Sequence, residues 1–179
     1  MPRLFTGLAI PPEIGAQLDL YRGGLPGARW IESSDYHVTL RFLGDVEVTL
    51  AEDFHELLAE RRVRAPLDIV LDGLASFGGD RPRAIYAALA PNPDLTDLQA
   101  EHERLARRAG AEPEQRRFTP HVTLARLRRE AGAEAVAGYL AGAGIVPRLS
   151  FSATEVALFS ARESRGGGPY VVEATYPLA

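Results

Sequence analysis

His37-Val38-Thr39-Leu40 opens a stretch that runs on through Arg41-Phe42-Leu43, and the same tetrapeptide returns as His121-Val122-Thr123-Leu124, starting 84 residues later in a chain of 179. In a strand, side chains at i and i+2 share a face. His37 then projects with Thr39 and His121 with Thr123, while Val38, Leu40, Val122 and Leu124 point to the opposite, buried side. Each copy follows a helical pattern, and the spacing is close to half the chain. An internal duplication with two pseudo-symmetric lobes follows from that order. If the two strands lie side by side about a pseudo-dyad, two imidazoles and two hydroxyls converge on one cleft.

The rest of the chain reads outward from these strands. A strand over 4–10 stops at Pro11-Pro12, and a helix follows to residue 21. A second helix is predicted over 49–62, with Thr49 and Glu52 at capping-box spacing, then strands over 67–74 and 83–89. A helix over 94–109 ends at Gly110, a plausible C-cap, and leads to the strand over 120–127. A small-residue helix over 133–140 and strands over 148–151, 155–160 and 170–176 complete the pattern, the last two strands joined through Gly166-Gly167-Gly168. Helices and strands neither alternate regularly nor segregate. The fold class is therefore α+β, with antiparallel sheets and helices on the outer faces.

Composition narrows the chemistry. Hydrophobic residues make up 46% and charged residues 25%, which suits a folded core, and the net charge of −4 argues against a protein that coats nucleic acid with its whole surface. No transmembrane helix and no signal peptide is expected, and cytoplasmic residence and a monomer are the default expectations. There is no cysteine, hence no disulfide and no thiolate ligand or nucleophile. All 20 basic residues are arginine. Without lysine, a lysyl-nucleotide ligase mechanism and a phosphate-loop lysine are both excluded.

Paired His-x-Thr strands suit acid–base chemistry on a phosphate. A neutral histidine can take a proton from an attacking hydroxyl or water, and a protonated one can give a proton to the leaving oxygen. The threonine hydroxyls can donate to non-bridging oxygens. Two histidines also begin a zinc site, but nothing supplies a third ligand at a recognisable spacing, so no metal and no cofactor is expected. Arg126 is suited to bidentate phosphate pairing. It lies three residues after Thr123, so a bend must bring it round to the same face. Arg116, Arg117, Arg128 and Arg129 read either as contacts to a longer nucleic-acid backbone or as a solvated strand end. Trp30, Tyr36, Phe42 and Phe118 read as base-stacking or core residues. His102, on the face of Leu98 and Leu105, reads as half-buried, and His55 as solvent-facing.

These residues, with their flanks Arg3-Leu4-Phe5, Arg29-Trp30-Ile31, Arg41-Phe42-Leu43-Gly44, Arg117-Phe118-Thr119-Pro120, Ala125-Arg126 and Leu158-Phe159-Ser160, resemble the RNA 2′,3′-cyclic phosphodiesterases, also called 2′–5′ RNA ligases, of the two-histidine phosphoesterase superfamily. The stretches Gly132 to Gly144 and Gly166 to Gly168 look individual to this sequence. The resemblance implies a single bilobal domain over 1–179, with two antiparallel sheets facing a central cleft. It implies metal-independent hydrolysis of a terminal cyclic phosphate to a 2′-phosphomonoester, with ATP-independent ligation as the reverse. By position, His37 resembles the proton donor and His121 the proton acceptor. Thr39 and Thr123 resemble the oxyanion-holding hydroxyls, and Arg126 the phosphate-contacting arginine; Phe42, as an aromatic beside the first motif, is the further substrate-binding candidate. The implied partners are RNA ends carrying a 2′,3′-cyclic phosphate, tRNA fragments among them, or cyclic-phosphate nucleotides. A non-catalytic RNA- or nucleotide-binding module remains an alternative.

Overall fold

In the computed structural model, which describes residues 1–62, 64–161 and 167–178, nine strands and four α-helices follow one another along the chain. They are β1 (Arg3–Ala9), α1 (Pro12–Leu18), β2 (Ala28–Trp30), β3 (His37–Asp45), α2 (Val48–Glu60), β4 (Leu67–Phe77), β5 (Ala84–Leu89), α3 (Pro93–Ala109), β6 (His121–Leu127), α4 (Ala133–Ala143), β7 (Leu149–Ala153), β8 (Glu155–Ser160) and β9 (Val171–Pro177). Gly166 of the expected glycine turn lies outside the described residues.

The strands form one antiparallel sheet in the order β7-β4-β5-β6-β3-β1-β8-β9, with β2 beside β6. This differs from two separate sheets. The halves β7-β4-β5-β6 and β3-β1-β8-β9 meet at the two motif strands, and those strands share a single register pair, Val38 opposite Val122. Beyond that pair β6 leaves β3 and takes β2 instead, Ala28 to Trp30 lying opposite Leu127 to Ala125. The short β2, absent from the sequence-based expectation, is a wedge at the point where the half-sheets part. Three residues carry too little periodicity to be read as a strand.

The half-sheets are not the two halves of the sequence. The His37 half takes β8 and β9 from the C-terminal region, and the His121 half takes β4 to β7. Symmetry is therefore visible about the motif strands, but the chain interleaves.

One main core, from Leu4, Val38, Leu40, Phe54, Leu95, Leu98, Val122 and Leu124 among others, lies on the helix side of the sheet. A smaller cluster of Phe5, Ala157, Phe159 and Ala161 lies on the other side, with Phe42 and Tyr170 against it. Helix α3 ends at Gly110 as expected, left-handed at φ 109°, and its N-cap, not anticipated from the sequence, is Asn92, whose side chain accepts from the Leu95 amide at 3.1 Å. The N-cap of helix α2 is Glu47, with no side-chain capping bond, so Thr49 sits inside the first turn. The expected Thr49–Glu52 capping box does not form.

His102 is fully enclosed rather than half-buried. Its Nδ1 is hydrogen-bonded to the Thr6 hydroxyl at 2.8 Å and its Nε2 has no partner among the described residues. Burial, with Arg61 and Arg64 nearby, pushes its pKa down to about 3. The unfolded chain therefore binds a proton near pH 6.5 that the folded chain refuses, so stability is full above that pH and declines as pH falls toward 3. Each pH unit inside the window costs about 1.4 kcal/mol for this group. Urea unfolding at pH 7, 6 and 5 is expected to show the decline, with a shallower slope in His102→Gln; parallel slopes would contradict it. His55 is exposed, as expected, and its Nδ1 is 2.7 Å from the Tyr176 hydroxyl.

Candidate active site

Antiparallel pairing at Val38 and Val122 brings the same position of each motif into opposition, both valines fully buried toward the helices. The alternating residues therefore emerge together on the other side. His37, Thr39, His121 and Thr123 all line one cleft of about 190 Å³.

Strict alternation alone would send Phe42 and Arg126 away from that cleft, since each lies five residues after its histidine. Both nevertheless line it. The register explains this. Beside β1, Thr6 pairs with Arg41 and the next residue, Gly7, with Thr39, so Leu40 is extra. Beside β5, Ile85 pairs with Ala125 and Tyr86 with Thr123, so Leu124 is extra. A β-bulge of this kind resets which face the following residue occupies. Leu40 and Arg41 are consecutively buried, as are Leu124 and Ala125, and the alternation resumes with Phe42 and Arg126 on the cleft face. Gly7 marks the first bulge, where a β-carbon would lie 2.6 Å from the Val38 carbonyl oxygen.

Each imidazole is oriented in the same way. His37 Nδ1–H donates to the Asp35 carbonyl at 2.9 Å, and His121 Nδ1–H to the Thr119 carbonyl at 2.6 Å. That bond fixes the neutral tautomer and leaves Nε2 as the acceptor. The Thr39 hydroxyl donates to His37 Nε2 at 3.0 Å. Aromatic rings bed both histidines. Phe5, Phe159 and Tyr170 lie 4.7, 5.6 and 5.1 Å from His37, and Phe77 and Tyr86 lie 4.7 and 5.4 Å from His121, ring centre to ring centre.

The electrostatics follow from that setting. Burial pushes the His37 pKa down to about 4 against the Asp35 hydrogen bond, and His121 and Arg126 push the same way. His121 is lowered too, by burial first and by Arg126, against its bond to Thr119. In the unliganded cleft both imidazoles are thus neutral at pH 7.

The Arg126 side chain is exposed and makes no hydrogen bond or ion pair among the described residues, which leaves its guanidinium available to an anion. The Arg3 guanidinium lies 5.5 Å over the Phe42 ring. Tyr36 is buried in the core, Trp30 packs on Tyr139, and Phe118 packs against the main core, so of the four flanking aromatics only Phe42 reaches the cleft. Arg116 is paired with Glu114.

Sequence reasoning assigned no part in the site to Asp35 or to the aromatic beds. Asp35 carries His37 through its carbonyl and accepts from the Tyr170 amide through its carboxylate at 3.1 Å. Its position two residues before the histidine was the available signal, mirrored by Thr119 before His121. The aromatic beds come from β1, β4, β5, β8 and the Tyr170 region, and no local pattern announces them. Among the described residues, no group of three or more His, Asp or Glu is placed to hold a metal ion. Nor is any helix among them long and apolar enough to cross a membrane.

Comparison with known proteins agrees with this geometry. A family model described as the 2′-5′ RNA ligase superfamily matches residues 10–165. The chain is 32% identical over 149 residues to an RNA 2′,3′-cyclic phosphodiesterase of Aeropyrum pernix, covering 82% of this chain and 84% of that protein. It is 28% identical over 172 residues to the protein of the same name from Escherichia coli, covering 94% and 92%. Among solved structures, Escherichia coli LigT complexed with 3′-AMP superposes with a TM-score of 0.79 at 25% identity, covering 100% of this chain and 99% of that one.

Proposed function

The chain belongs to the 2′-5′ RNA ligase superfamily, and on that premise we propose that it opens the 2′,3′-cyclic phosphate at the end of an RNA, leaving a 2′-phosphomonoester. The observation that carries the reading is the pair of His-x-Thr strands facing one cleft, each imidazole held through Nδ1 so that Nε2 turns to the substrate. The two half-sheets work on this reading as one bilobal domain over 1–179, because neither holds both histidines.

Water gives its proton to His121 Nε2 as its oxygen attacks phosphorus. The bond to the 3′ oxygen breaks in line with the attack, and His37 Nε2–H protonates that oxygen. Thr39 and Thr123 donate to the non-bridging oxygens, Arg126 pairs with them, and Phe42 carries the terminal base. Solvent then returns a proton to His37 and takes one from His121, so no metal and no cofactor enters. Attack by a 5′-hydroxyl in place of water uses the same groups and gives a 2′–5′ linkage without ATP. The assignment of His37 as acid and His121 as base rests on likeness to the family.

His37 is neutral in the empty site, yet the acid must carry a proton. The substrate's own negative charge supplies the difference by favouring the imidazolium. Activity therefore rises with pH as the base loses its proton and falls as the acid loses its own. The limbs of kcat/KM report the free protein, so with both pKa values depressed its optimum is expected on the acid side of neutrality. A pH–rate profile on an RNA ending in a cyclic phosphate, with the product phosphate located, tests this. A bell-shaped curve and a 2′-phosphate are expected; a 3′-phosphate, or a curve with no acid limb, would overturn it.

A further inference from the structure

Beyond the cleft, β6 carries a second cation in line with Arg126. Leu127 is the last residue of β6, but its ladder runs one residue further, the Arg128 amide donating to the Gly27 carbonyl at 2.8 Å as the next step of the β2 register. Arg128 therefore shares the face of Arg126, about 7 Å further along the strand. That is close to the separation of neighbouring phosphates in an extended single strand. Arg129 follows, and Arg81 and Arg83 occupy the approach to the neighbouring strand β5, where the Arg83 carbonyl accepts from the Leu127 amide. All four side chains are exposed and none has an ion-pair partner among the described residues. Asp80 and Glu130 flank them in the same turns without pairing to them. In a chain of net charge −4, whose other arginines include eight held by carboxylates, this corner keeps its positive charge open.

We propose that Arg128, with Arg129 and the Arg81–Arg83 turn around it, is a phosphate-backbone surface outside the cleft, and that the protein thereby prefers a polynucleotide end to a cyclic mononucleotide. The inference rests on the functional reading above. The surface takes a single strand along its sugar–phosphate backbone. Its guanidinium groups meet phosphates rather than base edges, so it reads no sequence.

Two substrates separate this inference from the reading beneath it: 2′,3′-cyclic AMP, which ends inside the cleft, and an octaribonucleotide ending in a 2′,3′-cyclic phosphate. Arg128→Ala/Arg129→Ala is expected to raise KM for the octamer about ten-fold at moderate salt and to leave kcat/KM for cyclic AMP within two-fold. The slope of log KM against log salt for the octamer should fall by about 1.4, from about 0.7 per lost contact on a single strand. Because both residues are exposed, an unchanged unfolding midpoint is expected alongside. Equal effects on the two substrates, or an unchanged octamer KM and salt slope, would overturn the surface. A wild-type protein that opens neither substrate would overturn the functional reading itself, and the surface with it.

Discussion

Alanine in place of His37 or His121 is expected to lower turnover of a cyclic-phosphate-ended RNA by at least about 10², measured in the presence of chelator. The rings packed on each imidazole are aromatic, Phe5, Phe159 and Tyr170 on His37 and Phe77 and Tyr86 on His121, and none of them is a second imidazole. Because acid and base act in one step, the double variant should lose far less than the product of the two single losses. Each variant should keep its fold, since both side chains line a cleft and neither lies in the main core. Full activity in both single variants would end the catalytic assignment. Activity of the wild type that vanishes with chelator alone would point instead to a metal on the two imidazoles.

The second large effect is at Arg41, one residue past the first bulge. Its side chain is buried, and its three nitrogens reach Glu103 at 2.5 Å, the Phe42 carbonyl at 2.6 Å and the Glu112 carbonyl at 2.5 Å. It thus ties β3 to α3 and to the segment leading to the second motif. Burial alone would make Glu103 harder to ionise, but hydrogen bonds from Arg41, Arg107 and the Glu114 amide outweigh it and hold the carboxyl below its usual range. Arg41→Met removes the inner cation and strands that carboxylate. A loss of about 3 kcal/mol is expected by urea unfolding, at the lower end for a broken buried pair because Arg107 and the Glu114 amide remain. Adding Glu103→Gln should recover part of it. A loss below about 1 kcal/mol in the single variant would show that the pair contributes little.

The sequence made the centre of the site legible and its surroundings much less so. His-x-Thr on a strand obeys a two-residue period, so His37, Thr39, His121 and Thr123 could be assigned to shared faces without any knowledge of the partners. Arg126 broke that period. A bend was inferred as a requirement, but the bulge at Leu124 that satisfies it is defined by pairing with β5, which no local window contains. The same holds for Phe42 and the bulge at Leu40. The C-cap of α3 was readable because Gly110 acts within a few residues of itself; Asn92 acts as locally at the other end but was not singled out. Thr49 misled for the complementary reason: the spacing of a capping box fits any start within a turn, and packing begins α2 at Val48. His102 looked half-buried from its helical face. Its full enclosure sets it against Thr6, 96 residues away, which no local pattern announces.

The interleaving of the half-sheets has a consequence for synthesis. On a growing chain, β4 to β7 appear in one uninterrupted run, so the sheet around His121 holds all its main strands once residue 153 has emerged. The sheet around His37 is different: β1 and β3 are made early, yet Leu4 pairs with Ser160 and Phe5 with Phe159. An apolar strand edge therefore waits for more than a hundred residues before its neighbour exists, and contacts of such long sequence separation form slowly. Nascent chains stalled before β8 would leave Phe5 without Ala157, Phe159 and Ala161, the other members of its cluster, and a chaperone would have most to cover in that interval.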